Sequence, residues 1–317
     1  MHDRALVQAL VVAGRWLREH DYHFTAVTPA THGRVNARPG AQLAARLRDV
    51  FGWSRSFEPS LLPDPLTATL QAVGLLAPLE GGLLRSEIRF SSLEGMLFAH
   101  SAYPTTAEDA VFFGPDTHRF ATLIAQELAR KPLAPGARIL DVGCGAGAGG
   151  LLASRHARPP TSTVLADINT RALSFARANA ELAGASGVSF VQSDLFASTA
   201  GTFDLIAANP PYLNDRAGRT YRHGGGRWGE ALSVRIVHEG LGRLAPGGRL
   251  VLYTGVPMSA GADPLWAALH DELTACGWPC RYREIDPDVF GEELAEPAYA
   301  NVERIAAMAL VVERPLP

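Results

Sequence analysis

The 317-residue sequence predicts an α/β protein with a seven-stranded, mostly parallel sheet, preceded by a small α+β module. Three observations carry this. From about residue 110 onward, short apolar runs alternate with helical repeats, the pattern of successive βαβ units. A glycine-rich turn, "GCGAGAGG", directly follows the first of those runs. Ahead of it the alternation is missing, and helical repeats give way to a hairpin pattern. The expected boundary divides residues 1–105 from residues 106–317.

Taken in order, "ALVQALVVAGRWLREH" places Leu6, Leu10, Trp16 and Leu17 at helical spacing. No small-residue cleavage site follows, so an amphipathic helix over 4–20 is expected rather than a secretion signal. Further helical repeats occupy about 40–50 and 65–75, between proline-bearing loops. "GGLLRSEIRFSSLEGMLFAH" then reads as two short strands joined at "SSLEG", which gives the module a winged-helix-like order. In that reading Arg85 and Arg89 of the hairpin face nucleic acid, although Glu80, Glu87 and Glu94 accompany them. "GPDTHRFATLIAQELAR" is a helix reaching Arg130, with Asp116 or Thr117 available to accept from its first amides. Strands follow at "ARILDVG", "STVLAD", "VSFVQSD", "FDLIAAN" and "GRLVLYTG", with helices between them that include 170–183 and 230–244. "RYREIDPDVF" and "RIAAMALVVE" add two closing strands. The acidic loop between them, 286–299, is expected on the side where ligands bind, beyond the carboxyl ends of the parallel strands.

Composition narrows the function classes. With 47% hydrophobic residues, 19% charged residues and a net charge of -3, the chain reads as an ordinary soluble globular protein. It does not read as one coated in positive charge for nucleic acid, and a local basic groove stays open. No apolar run approaches the length of a membrane span. Cys144, Cys276 and Cys280 show neither a metal-ligand spacing nor a disulfide framework, which points to a reducing cytoplasm. No metal is expected, since His20 and His23 in "HDYH" have no clustered third ligand.

The glycine turn holds Gly143, Gly145, Gly147, Gly149 and Gly150 immediately after a strand. Glycines allow a tight turn and close approach to a ligand, and the helix that follows offers unpaired amides. Gly145, Gly147 and Gly150 satisfy GxGxxG, so a dinucleotide-binding fold is a rival. Three acids narrow the choice. Asp141 precedes the first glycine by two residues, where a carboxylate organises the loop and faces a cationic ligand amine. Asp167 ends the second strand, the place of an acid that accepts both ribose hydroxyls. Asp194, in "QSDLF", is placed to accept from an adenine amino group. Together "LDVGCGAGAGG", "LADIN" and "SDLF" resemble the motifs of class I methyltransferases that use S-adenosylmethionine. The resemblance spans roughly 110–312. It implies a Rossmann-like domain, a small recognition module over 1–105, and S-adenosylhomocysteine as product. The cofactor residues it implies are Asp141, Gly143, Cys144, Gly145, Gly147, Asp167, Ile168, Asp194, Leu195 and Asn209. Cys144 is there as a small residue that packs, not as a nucleophile.

The fourth strand ends in "NPPY". A planar NH2 group is a poor nucleophile because its lone pair is delocalised, and an acceptor on each hydrogen raises electron density on nitrogen as it pyramidalises. Asn209 offers a side-chain carbonyl and Pro210 a backbone carbonyl. Pro210 and Pro211 fix the turn, and Tyr212 can stack on the planar group. The tetrapeptide resembles two branches: methyltransferases of nucleobase amino groups, and the HemK-like enzymes that methylate a glutamine side chain in release factors. "FFGPDTHRF" and "GGGRWGEALSVRIVHEGLGRLAPGGRLVLYTG" resemble the HemK-like branch, which makes a glutamine-bearing protein the expected partner. This chain carries Gly114 and His118 where that branch has an arginine and an acid, and strands where its N-terminal domain is helical. A nucleobase in RNA or DNA and a small amide or guanidine are the alternatives as acceptor. An NAD-dependent oxidoreductase and a non-catalytic cofactor-binding module are the rivals of another class. After the tetrapeptide come Arg216, Arg219, Arg222, Arg227 and Trp228, which fit a substrate lid, a phosphate-binding surface or an exposed loop. The acidic 286–299 loop is available to pair with them.

Overall fold

The computed structural model describes residues 2–215, 219 and 221–317. In chain order the elements are α1 (His2–Glu19), α2 (Pro29–Asn36), α3 (Leu47–Phe51), α4 (Asp64–Ala72), β1 (Leu76–Pro78), β2 (Leu84–Ser86), β3 (Ile88–Leu93) and β4 (Met96–Ser101). They continue with α5 (Pro115–Arg130), β5 (Arg138–Val142), α6 (Ala148–His156), β6 (Ser162–Asp167), α7 (Thr170–Leu182), β7 (Val188–Gln192) and β8 (Phe203–Ala208). The last are α8 (Ala231–Leu241), β9 (Leu244–Met258), α9 (Pro264–Cys276), β10 (Cys280–Asp286) and β11 (Arg304–Glu313). Two compact units result: residues up to His118 with Gly145–Ala148 and Thr170–Ser186, and the remainder. No helix among the described residues is long and apolar enough to cross a membrane.

In the first unit α1 packs along α7. A Cβ on Gly14 would fall 2.5 Å from Leu182, so the two helices meet closely there, and Arg15 pairs with Glu181 at 2.8 Å. The hairpin β3–β4 turns on two left-handed residues, Glu94 (φ 46°) and Gly95 (φ 74°). Two such residues match the twist of antiparallel strands, so Ser91 and Ser92, expected in the connection, are strand residues. Helix α2 was not expected, although Thr28 accepts from the Thr31 amide at 3.2 Å and Pro29 opens the first turn, a cap that is visible as "TP". The helix expected over 40–50 shrinks to α3. Arg89 corrects the reading of the hairpin as a nucleic-acid face: it is only 4% exposed, and its Nε donates to the Ser101 carbonyl. Burial, followed by the charge of Arg89, holds nearby His32 down at about 4.

The second unit is built on the seven-stranded sheet, ordered β10-β11-β9-β8-β5-β6-β7. Strands β5 to β9 are parallel, and β11 runs antiparallel between β9 and β10. Both faces are buried, so alternate residues serve different cores: Leu250 and Leu252 pack with Phe203, Ile206 and Leu269, whereas Val251 and Tyr253 pack with Phe120, Ile139 and Tyr299. Each such side chain contributes about 1.5–3 kcal/mol, which is why these strands read as continuous apolar runs rather than alternating ones. Helix α8 ends at Leu241, earlier than expected, and "APGG" lies inside β9. Gly248 permits this, since a Cβ there would meet the Phe203 carbonyl at 2.6 Å, beside a register shift between Phe203 and Leu205.

Strand order reverses between β5 and β8: the chain passes from β5 outward through β6 and β7, then returns to β8 and β9 on the other side. A crevice opens at the carboxyl ends at such a point, because successive crossovers leave in opposite directions. The glycine turn leaves β5 there, and "NPPY" leaves β8.

Candidate active site

The base of the glycine loop is fixed to the neighbouring strand. The amides of Gly143 and Cys144 donate to the Ala166 carbonyl at 2.9 and 3.0 Å, one residue before Asp167. Gly143 (φ 66°), Gly145 (φ 52°) and Gly147 (φ 82°) are all left-handed. A Cβ on Gly143 or Gly145 would meet no heavy atom within 4 Å among the described residues. These two glycines are therefore required by backbone angle, and the space beside them is not filled by protein. Gly149 and Gly150 differ: a Cβ there would lie 2.5 Å from Phe120 and 2.3 Å from Leu165, so they bring α6 close to the sheet. Cys144 is buried.

Asp141 is buried, 1% exposed, and accepts from the Gly150 amide at 2.7 Å. Burial pushes its carboxyl up to about 7 against the opposing Gly150 hydrogen bond, and the charge of Asp167 adds to the rise. Asp167 is nearly buried. Its Oδ1 accepts from the Asn169 amide at 2.8 Å, and its carbonyl accepts from the Ser193 amide at 3.0 Å. The ends of β5, β6 and β7 are thus tied side by side. Ile168 stands out as a large apolar residue 57% exposed, an apolar surface next to Asp167. Asp194 is exposed and faces Arg235 of α8 at 3.4 Å, and Leu195 takes a left-handed turn (φ 46°) beneath it.

On the acceptor side Asn209 is partly exposed at the end of β8, and Pro210 is buried. The ring of Tyr212 lies against Gly255 of β9, where a Cβ would come within 2.2 Å, and meets Phe290 edge-on at 5.8 Å. A glycine-rich strap lies against this turn. The Leu213 amide donates to Arg222 and the Gly224 amide to Leu213. A Cβ on Gly224 would lie 2.6 Å from the Pro211 carbonyl oxygen, and one on Gly229 (φ 106°) 2.2 Å from that of Tyr212. Tyr299, fully buried, joins the pieces: its hydroxyl accepts from the Asn214 amide at 2.7 Å and donates to the Trp228 carbonyl at 3.2 Å.

Of the arginines singled out in this stretch, Arg216 lies outside the described residues. Arg219 pairs with Asp215 through its Nε at 3.0 Å, and Arg222 pairs with Glu293 of the acidic loop and with Asp215. The Arg219 hydrogen bond, helped by Arg222, holds the Asp215 carboxyl below its usual range. Arg227 lies over the ring of Trp228 at 4.3 Å. Tyr299 and Gly255 were not anticipated from sequence. Gly255 did leave a signal, since a glycine inside a strand marks close approach of another group.

The strand order with its antiparallel β11, and the glycine loop followed by an acid ending β6, are the Rossmann-like α/β arrangement expected from the sequence. Residues 105–260 match the family model of the methyltransferase small domain. The chain is 38% identical over 191 residues to a release factor glutamine methyltransferase of Deinococcus radiodurans, covering 56% of this chain and 63% of the relative. A release factor glutamine methyltransferase of Yersinia pestis is 38% identical over 151 residues, 44% of this chain and 53% of its own length. A ribosomal RNA small subunit methyltransferase C of Chromohalobacter salexigens is 36% identical over 118 residues, 37% and 31% respectively. The chain thus spans less than two thirds of these relatives.

Proposed function

We propose that the protein transfers a methyl group from S-adenosylmethionine to a planar amide nitrogen, with a glutamine side chain of a protein as acceptor. The observation that carries this is the emergence of "NPPY" and the glycine loop from β8 and β5, adjacent strands at the point where strand order reverses. Open left-handed glycines, the near-buried Asp167 and the exposed face of Ile168 fit the cofactor's methionine, ribose and adenine parts in turn. The cofactor supplies an electrophilic methyl on a sulfonium. Asn209 and the Pro210 carbonyl hold the acceptor NH2 so that its lone pair lies in line with that methyl. The new N–C bond forms as S–CH3 breaks, and the nitrogen then loses a proton to solvent. Positioning of this kind is worth up to about 7–11 kcal/mol, so no general base is needed beforehand. Tyr212, held by Gly255 and Phe290, forms the wall behind the turn.

Glutamine leads because two of the relatives reported above are glutamine methyltransferases. A nucleobase amino group is the second reading, favoured by the ribosomal RNA methyltransferase relative. Purified protein with methyl-tritiated S-adenosylmethionine, added to a cell extract, separates them. Label lost from the macromolecular fraction on protease treatment, and kept on nuclease treatment, supports the protein acceptor. The reverse pattern replaces it with the nucleobase, and absence of S-adenosylhomocysteine with no label removes the transferase reading altogether.

A further inference from the structure

Asn179, in α7, is fully buried and bonds to two segments distant from it in the chain. Its Oδ1 accepts from the Ala99 amide at 2.7 Å, and its Nδ2 donates to the Ala99 carbonyl at 3.0 Å and to the Ala146 carbonyl at 2.9 Å. All of these residues belong to the first unit. A side-chain amide has two N–H donors, and both are used here. Ala99 lies on β4, which among the described strands pairs with β3 alone. By meeting both the N–H and the C=O of one residue, Asn179 completes the other edge of the hairpin at that point, as a third strand would. At its other end, Ala146 stands between two left-handed glycines, Gly145 and Gly147. Its carbonyl is a fixed point in the stretch of the glycine loop with the widest backbone freedom.

We propose that Asn179 is a positioning residue for the cofactor, coupling the hairpin β3–β4 to the glycine loop. This rests on the cofactor site described under the proposed function. Helix α7 is itself braced: Arg177 pairs with Asp3 at 3.5 Å, Arg18 donates to the Leu182 carbonyl at 2.8 Å, and α1 packs against it at Gly14. The carboxamide therefore transmits displacement instead of absorbing it. A macromolecule that moves the hairpin shifts the Ala146 carbonyl, and by linkage the cofactor stabilises the hairpin in return. The hairpin and the Gly145–Ala148 stretch of the loop, which lie in the same unit, then respond together.

The first test uses the wild-type protein and S-adenosylhomocysteine as probe, with backbone amide hydrogen exchange resolved by residue. Saturation is expected to slow exchange of the Gly145–Ala148 amides and of the Ala99 amide together, each by about tenfold. Slowing in the loop with no change at Ala99 overturns the coupling, whereas a loop that ignores the probe overturns the cofactor-site reading instead. The second test is Asn179→Asp, which keeps the shape and the acceptor for Ala99 while removing both donors, so that a carboxylate faces two carbonyls. The dissociation constant for the probe is expected to rise on the order of ten- to a hundredfold, with kcat at saturating cofactor within about twofold of wild type and no response of Ala99 exchange to the probe. Wild-type affinity in this variant refutes the proposal. Should the variant not fold, the wild-type exchange experiment decides alone.

Discussion

Two glycine-rich segments flank the crevice, and they use the same residue for opposite ends. At Gly143 and Gly145 the backbone is left-handed and the space a side chain would take is open. At Gly224 and Gly229 that space is filled by backbone oxygens of the strap and of the "NPPY" turn. Glycine in the first segment leaves room for a ligand, and glycine in the second lets one stretch of backbone lie directly on another. The proposed cofactor side is therefore shaped by what the protein leaves out, and the proposed acceptor side by what it packs in. A glycine count along the sequence does not distinguish the two; the surroundings of each Cβ position do.

The largest effect expected from this division is at Asn209. Asn209→Ala removes one acceptor of the reacting NH2 and nothing from the glycine loop. Turnover is expected to fall by about 10²–10³, the range for losing one preorganised hydrogen-bonding group at a reacting centre, while calorimetric affinity for S-adenosylhomocysteine stays within about twofold. A parallel loss of cofactor affinity would show that the two sides are not separable. A pair of alanine substitutions sharpens the contrast further. Gly145→Ala meets no protein atom but must adopt a left-handed backbone, at about 1–2 kcal/mol. Its loss should fall on cofactor affinity, about tenfold, with the acceptor KM little changed. Gly229→Ala drives a Cβ into the Tyr212 carbonyl, so its loss should fall on the melting temperature and on the acceptor KM, again about tenfold, with cofactor affinity retained. Identical signatures for the two variants would erase the distinction between open and filled glycines.

What was legible in the sequence follows the same line. Strands β5 to β9 could be read because a sheet buried on both faces demands unbroken apolar runs, and the glycine loop and "NPPY" because their geometry is set by adjacent residues. The ion pairs of the 286–299 loop with the arginine stretch, of which Arg222 and Glu293 are an instance, were accessible as charge complementarity. Tyr299 and Asn179 were not, since nothing near them in sequence states that a hydroxyl will bridge Asn214 and Trp228 or that a carboxamide will reach Ala99 and Ala146. Arg89 was misplaced for a related reason: a cation in a hairpin reads as exposed, and nothing near it in sequence states that it will be buried against the Ser101 carbonyl. Helix α2 and Gly255 were missed despite a local signal.

The smallest expected effect needs no substitution. Asp141 is buried beneath the first turn of α6, with Asp167 nearby, and accepts a hydrogen bond from the Gly150 amide. Its folded carboxyl titrates near 7, above the ordinary value in the unfolded chain of about 3.9. Between those values the folded state binds more protons than the unfolded state, so stability falls as pH rises through this window and levels off above about 7. The loss is expected on the order of 1–2 kcal/mol, as water reaching the buried carboxyl would moderate the cost of its charge. Melting temperatures of the ligand-free protein from pH 4.5 to 7.5 should show this decline on top of the titration of the remaining carboxylates, and Asp141→Asn, which cannot ionise, should flatten it. An unchanged slope in that variant would mean that Asp141 is already ionised in the folded protein. The Gly150 amide and the helix terminus would then outweigh burial, and the carboxylate would act as a fixed negative charge beneath the glycine loop.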